Sequence, residues 1–320
     1  MSLTGIVQLK SIWSKAMGLS NNDSDWDKDN FVLNLLGIGL LPTFQFLHEH
    51  KPDFESFEKW VIQQHGMAID SSLVDACNNY FVQAEDSNNP YQEAVLSADD
   101  LKFWNENGYV IVKNAITFED VNASKKAIWD FLQKEEEDAN TWYQPHPDWQ
   151  GIMVNLYRHP TLDSNRHSVR IKKAFEQIWG TNQLVVTTDK VGYNPPETDS
   201  FKYRGIGLHW DTSLATPIPF GVQGILYLTD TLPHQGALTL VPGFHLIIHE
   251  WLKQLPTETN PREVDLTTFH PIPIAANAGD LIIWNHALPH GSSPNRASLP
   301  RLVQYLYWSP PITQLQQKWL

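Results

Sequence analysis

From about residue 184 the chain alternates short apolar runs with Gly, Pro and Asn, the pattern of strands separated by turns. The runs cover residues 184–188, 205–211, 221–228, 237–241, 281–284 and 301–308. Many short strands of this kind fold as stacked sheets, so the expectation is a jelly roll, the double-stranded β-helix. Ahead of them the period becomes helical. Phe54, Phe57, Val61 and Ile62 share a face, Asp53 after Pro52 is placed to cap that helix, and Gly66 to end it. Ser97 and Asp100 resemble a capping box opening a helix that stops at Gly108; a strand Tyr109–Val112 follows, and Thr117 caps a helix to about Leu132. The acidic run 135–138 reads as a solvated face. The pattern predicts an α+β protein: a helical N-terminal extension over 1–95, then a jelly-roll domain with flanking helices over 96–320. The polar, turn-rich stretch 85–90 is the expected linker.

Composition narrows the function. With 42% hydrophobic and 18% charged residues the 320-residue chain is a folded protein, not a coiled coil or a disordered segment. A net charge of -13 argues against a nucleic-acid partner, because phosphate backbones are bound by an excess of Lys and Arg. The longest apolar run, 31–47, is broken by Asn34, Gly37, Gly39, Pro42 and Gln45, so it reads as buried helix and turn instead of a membrane span. The first 20 residues have neither the continuous apolar region nor the cleavage site of a signal peptide, and Cys77 has no partner for a disulfide. Together these favour the cytoplasm.

The chemistry concentrates late in the chain. His209 and Asp211, two apart in an expected strand, point to one side of a sheet. Leaving a buried imidazole and carboxylate unpaired is costly, and a metal removes that cost. Two His and one carboxylate on one face of an octahedron leave positions open for a cosubstrate and O₂, as non-haem Fe(II) oxygenases require. Alone, a His-x-Asp pair is weak evidence, and a structural or surface role accounts for most such pairs. The second His comes from the segment 278–295, which runs turn, strand, His290, Gly291, Ser292; Arg301 follows eleven positions after His290. Strand pairing can bring His290 next to His209 and Asp211, while Arg301, on the adjacent strand, would point into the same barrel; a guanidinium buried there calls for an anion, and a dicarboxylate fits its planar fork.

Four stretches taken together resemble the phytanoyl-CoA dioxygenase family of Fe(II)- and 2-oxoglutarate-dependent oxygenases: residues 96–112, the motif Leu208-His209-Trp210-Asp211, the run 226–245, and the segment ending at His290 with Arg301. The resemblance implies a jelly-roll enzyme holding iron on His209, Asp211 and His290. It implies 2-oxoglutarate chelating the metal, with its far carboxylate on Arg301 and the hydroxyl of Ser292. O₂ is then the second cosubstrate, succinate and CO₂ are the by-products, a small organic or lipid-like substrate is hydroxylated, and ascorbate is a supporting reductant. The chain has Trp210 where the family often has Gln, and Phe244 where it has a small residue.

Competing assignments can be named. His286 lies four before His290, and Arg296 lies in a polar loop where a solvated charge is ordinary; His245 follows a tight turn and suits a structural role. Lys202, Tyr203 and Arg204 could line the substrate entrance, and Asn194, Gln223 and Trp284 the pocket. A metal-dependent isomerase would need further His ligands and no Arg301, whereas a catalytically silent jelly roll would be expected to have lost a ligand. Halogenases of this chemistry replace the carboxylate ligand by Gly or Ala, a position that Asp211 fills.

Overall fold

Helical periodicity in the first eighty residues becomes α1 Val7–Ala16, α2 Trp26–Leu35, α3 Leu40–His50, α4 Phe54–His65 and α5 Ser71–Asn79 in the computed structural model, which describes residues 2–20, 26–81, 94–311 and 319–320. The expected linker, 85–90, lies outside the described residues. Asp53 caps α4 by accepting the Ser56 N–H at 2.7 Å, and Gly66 ends it in the left-handed region at φ 74°. The apolar run 31–47 becomes parts of α2 and α3, bent by 99° at the break. Among the described residues no single helix is long and apolar enough to cross a membrane.

These helices belong to one of two compact units, formed by residues 1–93, 179–189 and 308–315. Its core joins Leu9, Ile12, Phe31, Val32, Leu47, Phe57, Val61 and Val185. Cys77 is buried in it, and burial pushes its thiol up to about 12, so it is an inert core residue. Charges buried here are matched. Asp29 takes Lys15 Nζ at 2.7 Å and Gln8 Nε2 at 2.6 Å, while Glu58 accepts from Ser2 and from both the backbone and the hydroxyl of Thr4.

The second unit comprises residues 94–178, 190–307 and 316–320. It opens with α6 Ala98–Asn107, whose capping box between Ser97 and Asp100 is complete. Its other helices are α7 Phe118–Leu132, α8 Pro160–Arg166, α9 Val169–Trp179 and α10 Phe244–Gln254. The strands of the chain are β1 Tyr109–Val112, β2 Trp149–Gln150, β3 Met153–Val154, β4 Val185–Val186, β5 Val191–Asn194, β6 Val222–Tyr227, β7 Leu238–Leu240, β8 Ile272–Pro273, β9 Leu281–Asn285, β10 His290–Ser292, β11 Arg301–Tyr305 and β12 Trp308–Ser309. β4 and β12 pair with each other within the helical unit. The rest form two antiparallel sheets, ordered β1-β9-β6-β11-β5-β3-β2 and β10-β7-β8. Ile225, Tyr227, Ile282, Trp284 and Val303 of the larger sheet share one core with Leu238 and Leu240 of the smaller.

Three details differ from the sequence expectation. The expected strand 205–211 pairs only at His209, which exchanges two backbone hydrogen bonds with His290 at 2.8 and 3.0 Å. The residues before it pack irregularly: Gly205 leaves room for the Tyr203 hydroxyl, and the Gly207 carbonyl abuts Gly291. The run 301–308 breaks into β11 and β12, which lie in different units. Finally, Arg301 is not on a strand adjacent to that of His290. It sits between β6 and β5 in the larger sheet, because the connection 293–300 crosses from one sheet to the other, and the sheets do not close into a barrel.

Candidate metal centre

The backbone bridge between His209 and His290 brings β10 to the His-x-Asp motif, and alternation around the buried Trp210 turns His209 and Asp211 to one side. One ligand atom from each of His209, Asp211 and His290 lies within 4.8 Å of the others. His209 Nε2 is 3.4 Å from Asp211 Oδ1, and His290 Nε2 is 3.2 Å from Asp211 Oδ2. Each imidazole is oriented from behind. The Nδ1 of His209 donates to the Gly207 carbonyl at 2.7 Å and that of His290 to the Leu288 carbonyl at 3.2 Å, which turns both Nε2 atoms toward Asp211, where a cation would replace the protons they share with it. Two such imidazoles and a carboxylate are a donor set that fits Fe(II).

The desolvation argument holds for only part of this set. His290 is buried, His209 half-buried, and the Asp211 side chain is 54% exposed, so the centre opens to solvent on the Asp211 side. At Asp211, burial raises the carboxyl pKa, but hydrogen bonds from His209, His290 and Gln223 outweigh it and hold the group well below the usual carboxylate range. At His209, burial favours the neutral ring, and hydrogen bonds to Asp211 and Gly207 reverse this to a net upward shift.

Arg301 is fully buried, yet among the described residues no carboxylate pairs with it. Its Nη1 donates to Ser292 Oγ at 3.2 Å, while Nε and Nη2 are buried without a partner. Ser292 stands two residues beyond His290 on β10, so the guanidinium reaches the strand that carries the ligand. Such orphaned donors call for an anion from outside the protein.

The competing residues lie elsewhere. His286 is turned to the Pro219 carbonyl at 2.6 Å, His245 to that of Asn105 at 3.2 Å, and neither joins the cluster. Arg296 is exposed and faces Glu197 at 3.8 Å. Arg204 lies over the Phe201 ring, and Lys202 is exposed. Tyr203 has Arg301 and Ser292 as electrostatic neighbours, and burial pushes its phenol up to about 12. Asn194 is buried and donates to the Ser293 carbonyl. Gln223 donates to Asp211 Oδ2 at 2.7 Å, and the Trp284 ring packs 5.3 Å from that of His290.

One contributor escapes sequence reasoning. Arg262 donates to the carbonyls of Trp210 at 2.7 Å and Thr212 at 2.6 Å, which flank Asp211, and also to the Leu320 carbonyl. It lies in a short 3₁₀ turn with no motif around it, so nothing in its chain neighbourhood marks it.

Comparison with known proteins identifies the family and the fold. The family described as Phytanoyl-CoA dioxygenase (PhyH) matches residues 104–303. A Dictyostelium discoideum protein provisionally named a phytanoyl-CoA dioxygenase is 22% identical over 66% of this chain and 75% of its own length. An ectoine dioxygenase of Nocardia farcinica is 20% identical over 76% of this chain and 89% of its own length. The crystal structure of AviO1 from Streptomyces viridochromogenes superposes with a TM-score of 0.51 at 18% identity, over 70% of this chain and 99% of that one, a likeness of fold.

Proposed function

The chain belongs to the phytanoyl-CoA dioxygenase family, and from that premise we propose that it hydroxylates a small organic or lipid-like substrate, holding iron on His209, Asp211 and His290 and the far carboxylate of 2-oxoglutarate on Arg301 and Ser292. It is an Fe(II)- and 2-oxoglutarate-dependent oxygenase by that membership. Iron in this family supplies the activation of O₂ that accompanies decarboxylation of 2-oxoglutarate to succinate and CO₂.

The observation that carries the reading is the fully buried Arg301, with two guanidinium nitrogens unpartnered. A buried cation kept without a protein carboxylate is costly unless a ligand supplies the anion, and a planar carboxylate matches the fork. Ser292 adds a hydroxyl to the same group. The Gly207 and Leu288 carbonyls hold the two imidazoles with Nε2 turned to Asp211, and the exposed edge of Asp211 leaves the substrate side open. The substrate class follows the family and the apolar wall built by residues such as Trp284, and ascorbate is expected to sustain turnover.

The test is a substrate screen read by succinate release with Fe(II), ascorbate and O₂, beside a titration of 2-oxoglutarate into the metal-loaded protein. Saturable 2-oxoglutarate binding that Arg301→Ala weakens supports the assignment. Absence of any binding in the unaltered chain returns the fold to a metal isomerase or a silent jelly roll.

A further inference from the structure

Beside the metal centre two strands of the larger sheet place a polar pair whose bonding is unusual. Gln223 on β6 and Trp284 on β9 are register partners, and both sit against the cluster: the amide of Gln223 on Asp211, the indole of Trp284 on the ring of His290. Cross-strand partners have side chains close together on the same face. A carboxamide carbonyl and an indole N–H so placed would ordinarily satisfy each other. Here Gln223 Oε1 and Trp284 Nε1 are both buried and both unpartnered.

What the amide does instead is donate Nε2 to Asp211 Oδ2 at 2.7 Å. A flipped amide would set its carbonyl against the carboxylate, acceptor against acceptor, so the orientation is dictated by Asp211. Two buried groups left unsatisfied beside one short charge-assisted bond indicate that the local order serves the carboxylate at the expense of stability.

We propose that Gln223 is a positioning residue of the metal centre: by holding Oδ2 of Asp211 it keeps the carboxylate aimed into the cluster. The inference rests on the metal-centre reading above. It adds a residue on a strand twelve positions from Asp211, acting through that ligand and not on the metal itself. The bland alternative is a packing Gln at the mouth of the sheet, and the two differ in what a substitution does to metal affinity and to stability.

The experiment is a titration of Mn(II) alone, followed by the electron paramagnetic resonance of the free ion, with thermal unfolding of the metal-free proteins in parallel. Gln223→Leu is expected to weaken Mn(II) binding by about 10- to 100-fold, the usual loss for a group that orients a ligand, while the metal-free protein melts no lower than the unaltered one. Trp149→Phe on β2 removes an unpartnered indole N–H away from the cluster, and is expected to bind Mn(II) as the unaltered chain does. Should Gln223→Leu fail to fold, Gln223→Met keeps the length of the side chain and carries the same comparison. Unchanged affinity in the Gln223 variant, or an equal loss in Trp149→Phe, overturns the role while leaving the metal centre standing. No Mn(II) uptake by the unaltered chain overturns the centre itself, and this role with it.

Discussion

The two units differ in whether they leave buried polar groups unmatched. In the helical unit Asp29 is met by Lys15 and Gln8, and Glu58 by Ser2, Leu3 and Thr4; among the described residues it leaves no buried side-chain donor or acceptor unpartnered. In the β unit Arg301, Gln223 and Trp284 keep unpartnered atoms around the metal cluster, and Trp129, Trp149 and His245 keep others away from it. A matched buried charge is a structural element that locks one packing. An unmatched one costs stability and persists where something from outside completes it. Orphaned atoms are not by themselves a site, as Trp129 and Trp149 show; the distinction lies in the ligand cluster beside the other three.

The contrast predicts that substitutions in the β unit disturb chemistry and those in the helical unit disturb folding. The largest effect is at the ligands. His290→Ala, His209→Ala and Asp211→Ala should each abolish metal uptake and succinate release, whereas His286→Ala should retain substantial turnover. Turnover surviving in His290→Ala but lost in His286→Ala would move the ligand by four positions.

Next is the buried pair of the helical unit. Lys15→Met leaves Asp29 buried without its cation, which should cost about 3 kcal/mol of stability, seen as a lower Tm at unchanged Mn(II) affinity. A Tm equal to that of the unaltered chain would dissolve the contrast from the structural side.

Arg301→Ala comes third. Loss of a charge-assisted contact of about 1.5–3 kcal/mol should weaken 2-oxoglutarate binding by roughly ten- to a hundredfold and leave metal binding intact. Arg301→Lys should fall between, since it keeps the charge and loses the fork. The result that sharpens the comparison is the Tm of cosubstrate-free Arg301→Ala, expected not to fall as Lys15→Met does. Weakened binding in Arg296→Ala with none in Arg301→Ala would reassign the anion site.

The smallest effect is a pH dependence. Burial raises the Glu58 pKa, but hydrogen bonds from Ser2, Leu3 and Thr4 together bring it below its ordinary 4.5. A depressed carboxylate contributes stability that is fully present above the unfolded value and is lost as pH falls through the folded one. The Tm of the unaltered chain should therefore drop more steeply below pH 4.5 than that of Glu58→Gln. Parallel acid limbs would show that Glu58 is not differentially protonated.

Much of this was legible in the chain, and the reason is locality. Asp53 and Gly66 around α4, and Ser97 with Asp100 around α6, act within a single turn, so their spacing alone carries the cap. The pair His209 and Asp211 shares a side because of alternation over two residues, and the order of the segment to Arg301 marks the family. What the chain by itself determined was therefore most of the element types, the candidate ligand residues and the likeness to a family. The tertiary structure decided which residues meet across long separations. It put Arg301 in the sheet opposite His290, brought Gln223 and Arg262 to Asp211, left the carboxylate half open to solvent, and divided β4 and β12 from their sequence neighbours. Those outcomes depend on how two sheets stack and where the connections between them cross, and no local pattern encodes the register of a contact made a hundred residues away.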